Sequence, residues 1–171
     1  MLAGADGGDL GAGLARARQH DAGWLVEEVA AAGLLGRGGA FFPVADKWRT
    51  ALASPAPRVV IANGAEDEPG SSKDRLLLAT RADLVVEGAL LTAGAVGADR
   101  LVVYVNAEAE EALAGTRVAV ERAAAAGLAG DVTVEVVEAP AAYVAGEDSA
   151  AVEFIETGTA QPRKKPPYPA A

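Results

Sequence analysis

The sequence predicts an open α/β fold: a doubly wound, mainly parallel sheet with flanking helices. Three observations predict it. Short apolar runs stand at Arg58–Ala62, Leu101–Val105 and Val132–Val137. Stretches of helical length and periodicity separate them. The 171 residues, 51% hydrophobic and 23% charged, suffice for a domain with a buried sheet. Strands that alternate with helices pair in parallel through right-handed crossovers, and ligands of such sheets sit outside the carboxyl ends of the strands.

In chain order, residues 1–20 are rich in Gly, Ala and Asp and read as a loose N-terminal segment or a frayed helix. From Asp21 the pattern tightens: Trp24, Leu25, Val29 and Ala32 recur at helical spacing and Gly33 is the stop. GLLGRGGAFFPVADKW, residues 33–48, reads as a glycine-rich loop that carries an aromatic pair and Lys47. Arg58–Ala62 reads as a buried strand that empties into an acidic turn, NGAEDEPG, residues 63–70. Lys73–Leu78 starts a second helical stretch. Asp83–Val96 reads as a further helix with Leu84, Val85, Leu90 and Leu91 on its apolar side. Leu101–Val105 is a buried strand, Glu108–Ala126 a long Ala/Glu helix ended by Gly127, and Val132–Val137 a further strand. The loop EAPAAYVAGEDSA leads to a short helix reaching about Ile155. The basic, proline-rich tail QPRKKPPYPAA cannot be regular structure. The organisation read from this is a loose segment 1–20, an α/β domain 21–160 and a tail 161–171, whose abrupt ending predicts that the natural protein continues.

Composition narrows the function. Fifteen basic against 24 acidic residues give a net charge of −9, which argues against nucleic acid as a partner. Cysteine is absent and there is one histidine, so these residues hold no thiolate-bound cluster, no cysteine nucleophile and no histidine-rich metal site. The start carries acidic residues where a secretory signal has positive charge. Apolar stretches break well before the ~20 residues of a membrane span. The protein reads as soluble and cytoplasmic, with no direct membrane span.

Four motifs carry the chemistry. Gly36, Arg37, Gly38 and Gly39 expose backbone amides to a flat or anionic ligand, and Arg37 and Lys47 add charge for a phosphate. Glu66-Asp67-Glu68-Pro69-Gly70 is either a solvated turn or, at the end of a strand, a place to hold ribose hydroxyls; Asn63 before it offers both a donor and an acceptor. Tyr143, Gly146, Glu147 and Asp148 form a third group, whose acidic pair also suits a helix start. Arg163, Lys164 and Lys165 beside Tyr168 are either a solvated linker or a cation and a ring for a pyrophosphate and an adenine.

In their order and spacing, GRGGAFFPVADKW, NGAEDEPGSSKDR, YVAGEDSA and PRKKPPYPA closely resemble the FMN- and NADH-binding part of the family of 51 kDa flavoprotein subunits of respiratory complex I, the F subunit type of NADH-quinone oxidoreductase. The module also occurs in NAD-linked hydrogenases and formate dehydrogenases. The resemblance runs from about Gly33 to the last residue. It implies a Rossmann-like domain in which the Gly36, Gly38 and Gly39 amides line FMN, with Lys47 near a phosphate. Phe42 matches the aromatic that packs against NADH. Asn63 and Glu66 match positions at the ribityl chain and ring edge, and Glu68 one near the nicotinamide. Tyr143, Gly146 and Glu147 match a further stretch of the FMN pocket. Asp148 matches a residue near the adenosine ribose, and Lys165 and Tyr168 match the mouth of the NADH cavity. No catalytic side chain and no metal ligand is implied.

The implied reaction is hydride transfer from NAD(H) C4 to flavin N5, with onward one-electron transfer to an iron–sulfur cluster. That cluster, a 4Fe–4S, belongs to a C-terminal region outside this chain; the electron-transfer partner is a 24 kDa-like 2Fe–2S subunit or a ferredoxin. The implied location is cytoplasmic, peripheral to the membrane through a larger complex. Four positions depart from the family pattern. Phe41 replaces the last glycine of GRGGAGFP and predicts a crowded flavin approach; Ala65 replaces an acidic flavin contact; Ala145 replaces a cysteine; Thr50 replaces an aromatic. Two other readings remain open: the C subunit of Rnf-type, ferredoxin-linked complexes, which shares the module, and a scaffold that has lost its flavin.

Overall fold

A computed structural model describes residues 10–37, 40–66, 68 and 70–164. In order it comprises α1 (Ala12–Ala17), α2 (Ala22–Ala31), α3 (Val44–Ala53), β1 (Val59–Gly64), α4 (Lys73–Val96), β2 (Arg100–Asn106), α5 (Glu110–Ala125), β3 (Thr133–Ala139), a 3-10 turn (Tyr143–Gly146) and α6 (Asp148–Thr157). The three strands form one sheet in the order β1-β2-β3, all parallel. The register runs from Val59↔Arg100 and Arg100↔Thr133 at one end to Gly64↔Val105 and Asn106↔Ala139 at the other.

β2 is the central strand, and Leu101 through Asn106 are all buried, so its apolar run is continuous because both faces are covered. Leu101, Val103 and Val105 pack on α4 and α5, among Val86, Leu90, Ala119 and Leu113. Val102 and Tyr104 pack on the opposite face with Ala151, Phe154 and Ile155 of α6. The expected parallel sheet with flanking helices is what forms. α4 and α5 lie very close together. A Cβ built on Gly115 would sit 2.5 Å from the Leu78 carbonyl oxygen, a contact that only glycine allows.

The two helical stretches expected at 73–78 and 83–96 form as expected; α4 is two helices that meet at a kink at Arg81, whose backbone is not helical (φ −140°, ψ 38°). A difference from expectation lies at Val44–Ala53. The glycine-rich loop was expected to run on through Trp48, yet the chain turns helical immediately after Pro43, which occupies the N-cap. Ala45 and Trp48 make a buried face against Val26, Ala93 and Val96, and that packing outweighs the loop-like composition before it. Arg58 then ties the end of α3 to the end of α4. Its guanidinium donates to the carbonyls of Ala51 (2.7 Å), Leu52 (3.0 Å), Ser54 (2.6 Å) and Val96 (3.2 Å), acceptors that helix ends leave open.

Within the segment read as loose or frayed, α1 docks on α4. Leu14 is buried, and the buried Glu87 carboxylate accepts hydrogen bonds from the amides of Gly13 (2.8 Å) and Leu14 (3.3 Å). Arg18 donates to the Leu128 carbonyl at 2.7 Å. Among the described residues, no helix is long and apolar enough to cross a membrane, and no group of His, Cys, Asp or Glu is placed to hold a metal ion.

Candidate functional site

The loops that follow β1 and β3 meet at the carboxyl edge of the sheet. Asn63, the second-last residue of β1, uses both ends of its amide. Its Oδ1 accepts from the Ala65 amide (3.2 Å), and its Nδ2 donates to the Gly146 carbonyl (2.9 Å). Position 146 requires glycine, because a Cβ there would lie 2.2 Å from the Ala65 carbonyl oxygen. The glycine expected to admit a flavin closely here admits the neighbouring main chain. Ala65 and Ala145, two of the positions that depart from the family pattern, are both buried; Ala65 packs with Val102, Tyr104 and Ala139.

Glu66 organises the acidic turn. Its side chain is 3% exposed. It accepts hydrogen bonds from Ser71 Oγ, Lys73 Nζ (3.0 Å) and the Asp74 amide (2.9 Å). The last of these matters for α4, because Ser72 at its N-cap makes no side-chain cap, so the carboxylate eight residues earlier satisfies a free amide of the first turn. Burial works to raise the Glu66 pKa, but the three hydrogen bonds and the Lys73 charge outweigh it and hold the carboxyl below its ordinary value. Sequence reasoning did not identify Ser71 and Lys73 as its partners. The signal was the polar run SSKD directly after Pro-Gly, at the start of a helix.

Glu68 is exposed and accepts a hydrogen bond from the Tyr143 hydroxyl (3.0 Å), a second link between the two loops. That bond, with the carboxylate's charge, raises the Tyr143 pKa. Glu147 is the N-cap of α6 and accepts from the Ala150 amide (2.8 Å) and Ser149 Oγ (2.5 Å). Asp148 follows in the first turn, where negative charge suits the helix dipole. Ser149 Oγ accepts from the Arg163 amide (2.9 Å), and the Arg163 side chain pairs with Glu153 and Glu156, so the described start of the basic tail lies against α6.

The glycine-rich loop is built differently. Its base is closed by the Leu35–Pro43 bridge, by the Gly36 amide donating to Phe42 O (2.9 Å) and by the Val44 amide donating to Leu34 O (2.9 Å). Beyond the base, Arg37 is exposed, Phe41 is 57% and Phe42 54% exposed, and Lys47 stands exposed in the first turn of α3. Phe41 has φ +51°, in the left-handed region. Gly38, Gly39, Lys165 and Tyr168 lie outside the described residues. Of the expected site residues, then, Asn63, Glu68, Tyr143 and Gly146 are joined by these direct contacts between the two loops. Glu66 and Glu147 are committed to helix starts, and the hydrogen bonds given above for the glycine-rich loop stay within it.

Exposed aromatic rings and two exposed cations stand on one loop, and the Asn63 amide with an acidic rim stands at the sheet edge. The Nuo51 FMN-binding domain matches residues 29–171. The chain belongs to that family. Among its Nuo51 relatives, the F subunit of NADH-quinone oxidoreductase from Aquifex aeolicus (strain VF5) is 35% identical over 153 residues, covering 85% of this chain and 36% of the relative. The mitochondrial NADH-ubiquinone oxidoreductase 51 kDa subunit of Aspergillus niger is 35% identical over 165 residues, covering 89% and 33%. The Nuo51 fold recurs in a solved structure, an NAD+-reducing NiFe-hydrogenase in the H2-reduced state. It superimposes with a TM-score of 0.87 at 39% identity over 96% of this chain and 29% of that one. The chain therefore spans about a third of the length of these relatives.

Proposed function

We propose that residues 21–160 form the FMN- and NADH-binding module of an NADH-oxidising oxidoreductase that delivers electrons to an iron–sulfur protein. The observation that carries this reading is the meeting of Asn63 with Gly146, beside the Glu68–Tyr143 pair, at the carboxyl edge of a parallel sheet in a chain of the Nuo51 family.

The Gly36 amide, expected to face FMN, is taken by the Phe42 carbonyl, which leaves that role to glycines 38 and 39, while Arg37 and Lys47 offset phosphate charge. Asn63 fixes the strand end against which the ribityl chain lies. Glu66 and Glu147 act from behind the wall: each stabilises the first turn of a helix and so sets where the loop backbone runs. Phe42 and Glu68 face NADH, Tyr143 belongs to the FMN pocket and its hydroxyl holds Glu68, Asp148 serves the adenosine ribose, and Lys165 and Tyr168 stand at the mouth. When bound, FMN supplies hydride acceptance from NADH and one-electron release. The chain's own work is to hold two rings face to face and keep water out, which needs no general acid or base. A 4Fe–4S cluster outside this chain and a 24 kDa-like 2Fe–2S subunit or ferredoxin take the electrons. The assembly sits in the cytoplasm, peripheral to the membrane.

Absorbance spectroscopy tests this. Protein incubated with FMN and freed of excess should absorb near ~450 nm and bleach on anaerobic addition of NADH. Protein that stays colourless after incubation would instead be a scaffold that has lost its flavin.

A further inference from the structure

We propose that Arg163 is a positioning residue for NADH: clasped on α6, it gives the tail that bears Lys165 and Tyr168 a fixed starting point at the carboxyl edge of the sheet. The inference rests on the function proposed above. α6 ends at Gly158 in the left-handed region (φ +79°), and residues 159–164 carry no regular structure. They nonetheless run back along the helix they have just left. The Arg163 amide donates to Ser149 Oγ (2.9 Å) in the first turn of α6, while its guanidinium pairs with Glu153 and Glu156 in the second half. Ser149 is buried, and its hydroxyl donates in turn to Glu147 (2.5 Å), the residue after Gly146. Through that hydroxyl the main chain at 163 is fixed beside the two loops that Asn63 and Gly146 join.

The helix itself calls for such a cation. Its sequence, DSAAVEFIET, has no basic residue. Glu153 and Glu156 are three residues apart, where like charges repel, and Glu156 in the last turn opposes the helix dipole. The planar fork of Arg163 meets both carboxylates at once. The bond from Arg163 holds the Glu153 carboxyl below its ordinary value, so the clasp stays charged near neutral pH. Its effect is positional. The Arg163, Glu153 and Glu156 side chains are 37%, 26% and 58% exposed, and ion pairs so open to water add little to folding stability. The guanidinium is thereby committed, and of the run Arg163-Lys164-Lys165 the clasp leaves the two lysines to meet a pyrophosphate.

The test measures NADH affinity, FMN affinity and the unfolding midpoint in the full chain. The variants are Arg163→Ala, the double variant Glu153→Gln with Glu156→Gln, and all three substitutions together. Each should bind NADH about tenfold more weakly, because a loosened tail must be ordered on binding. The triple variant should lose no more than the others, since the clasp acts as one unit, and FMN affinity and the midpoint should stay at wild-type values. The double variant separates the clasp from a direct contact. It removes two negative charges and frees Arg163, which by charge alone favours an anionic ligand. Equal or tighter NADH binding by it would make Arg163 a phosphate contact held back by the carboxylates. Unchanged binding by Arg163→Ala, or additive losses in the triple variant, would show that the clasp positions nothing. A lower midpoint or weaker FMN binding in any variant would make the contact part of the fold. Any of these overturns the inference and leaves the proposed function standing. A wild type that binds neither NADH nor FMN removes both.

Discussion

The two sides of the candidate site are held together in opposite ways. At the sheet edge nearly every polar group is already satisfied by the chain itself: Asn63 by Ala65 and Gly146, Glu66 by Ser71, Lys73 and the start of α4, and Glu147 by the start of α6. On the glycine-rich loop the hydrogen bonds given above, among the described residues, close the base, and Arg37, Phe41, Phe42 and Lys47 are exposed. The first is a scaffold that exists before any ligand arrives. The second leaves these side chains in solvent. A substitution at the edge should therefore be felt as lost stability, and one in the loop as lost binding.

The sharpest way to break that contrast is Gly146→Ala. Its methyl group would meet the Ala65 carbonyl oxygen at 2.2 Å, and backbone cannot step aside as a flexible side chain can. A loss of about 1–3 kcal/mol in unfolding free energy is expected from chemical denaturation. A variant as stable as the wild type would mean that the two loops are not locked together.

Glu66→Ala comes next, at about 1–2 kcal/mol. It strands the Asp74 amide and removes the acceptor of Ser71, whereas the Lys73 ion pair adds little because that side chain is 55% exposed. The same residue gives a pH dependence. A folded-state pKa below the ordinary glutamate value of about 4.3 means stability that is fully present above that pH and is lost as pH falls through the lower folded value. Glu66→Gln should lower stability at neutral pH and flatten the acid limb of the stability curve; an unchanged limb would assign the acid sensitivity to other carboxylates.

The smallest effect belongs to Tyr143→Phe. Tyr143 is 69% exposed, so losing the bond to Glu68 should leave the unfolding midpoint where it was, while the affinity for NADH falls. A destabilised Tyr143→Phe would move this residue from the ligand side of the comparison to the scaffold side.

The fold was largely legible because its core speaks through continuous apolar runs: Leu101–Val105 can only be a central strand, and Ala62, Val103 and Val105 explain where α4 and α5 must lie. α3 was hidden by what precedes it, since the glycines and paired phenylalanines read as loop and the buried Ala45–Trp48 face shows only once Val26 and Val96 are opposite it. The site was legible as a set of motifs and not as a set of contacts. Glu66 looked like a ligand-facing carboxylate in an acidic turn. Its burial depends on Ser71 and Lys73 folding back over it, which no residue spacing displays. The strain at Phe41 was equally invisible, because φ is a property of the closed loop and the residue name alone gives only an unexpected ring.

Glu87, in the interior of α4, has a practical consequence. Its carboxylate is buried, and the donors given to it come from the first turn of α1. Trimming the chain to begin at Asp21 would leave an anion facing the interior without those two partners, a change that would cost solubility and yield well before it touched any nucleotide. Shortened clones should keep Leu10 to Arg18, or carry Glu87→Leu in compensation.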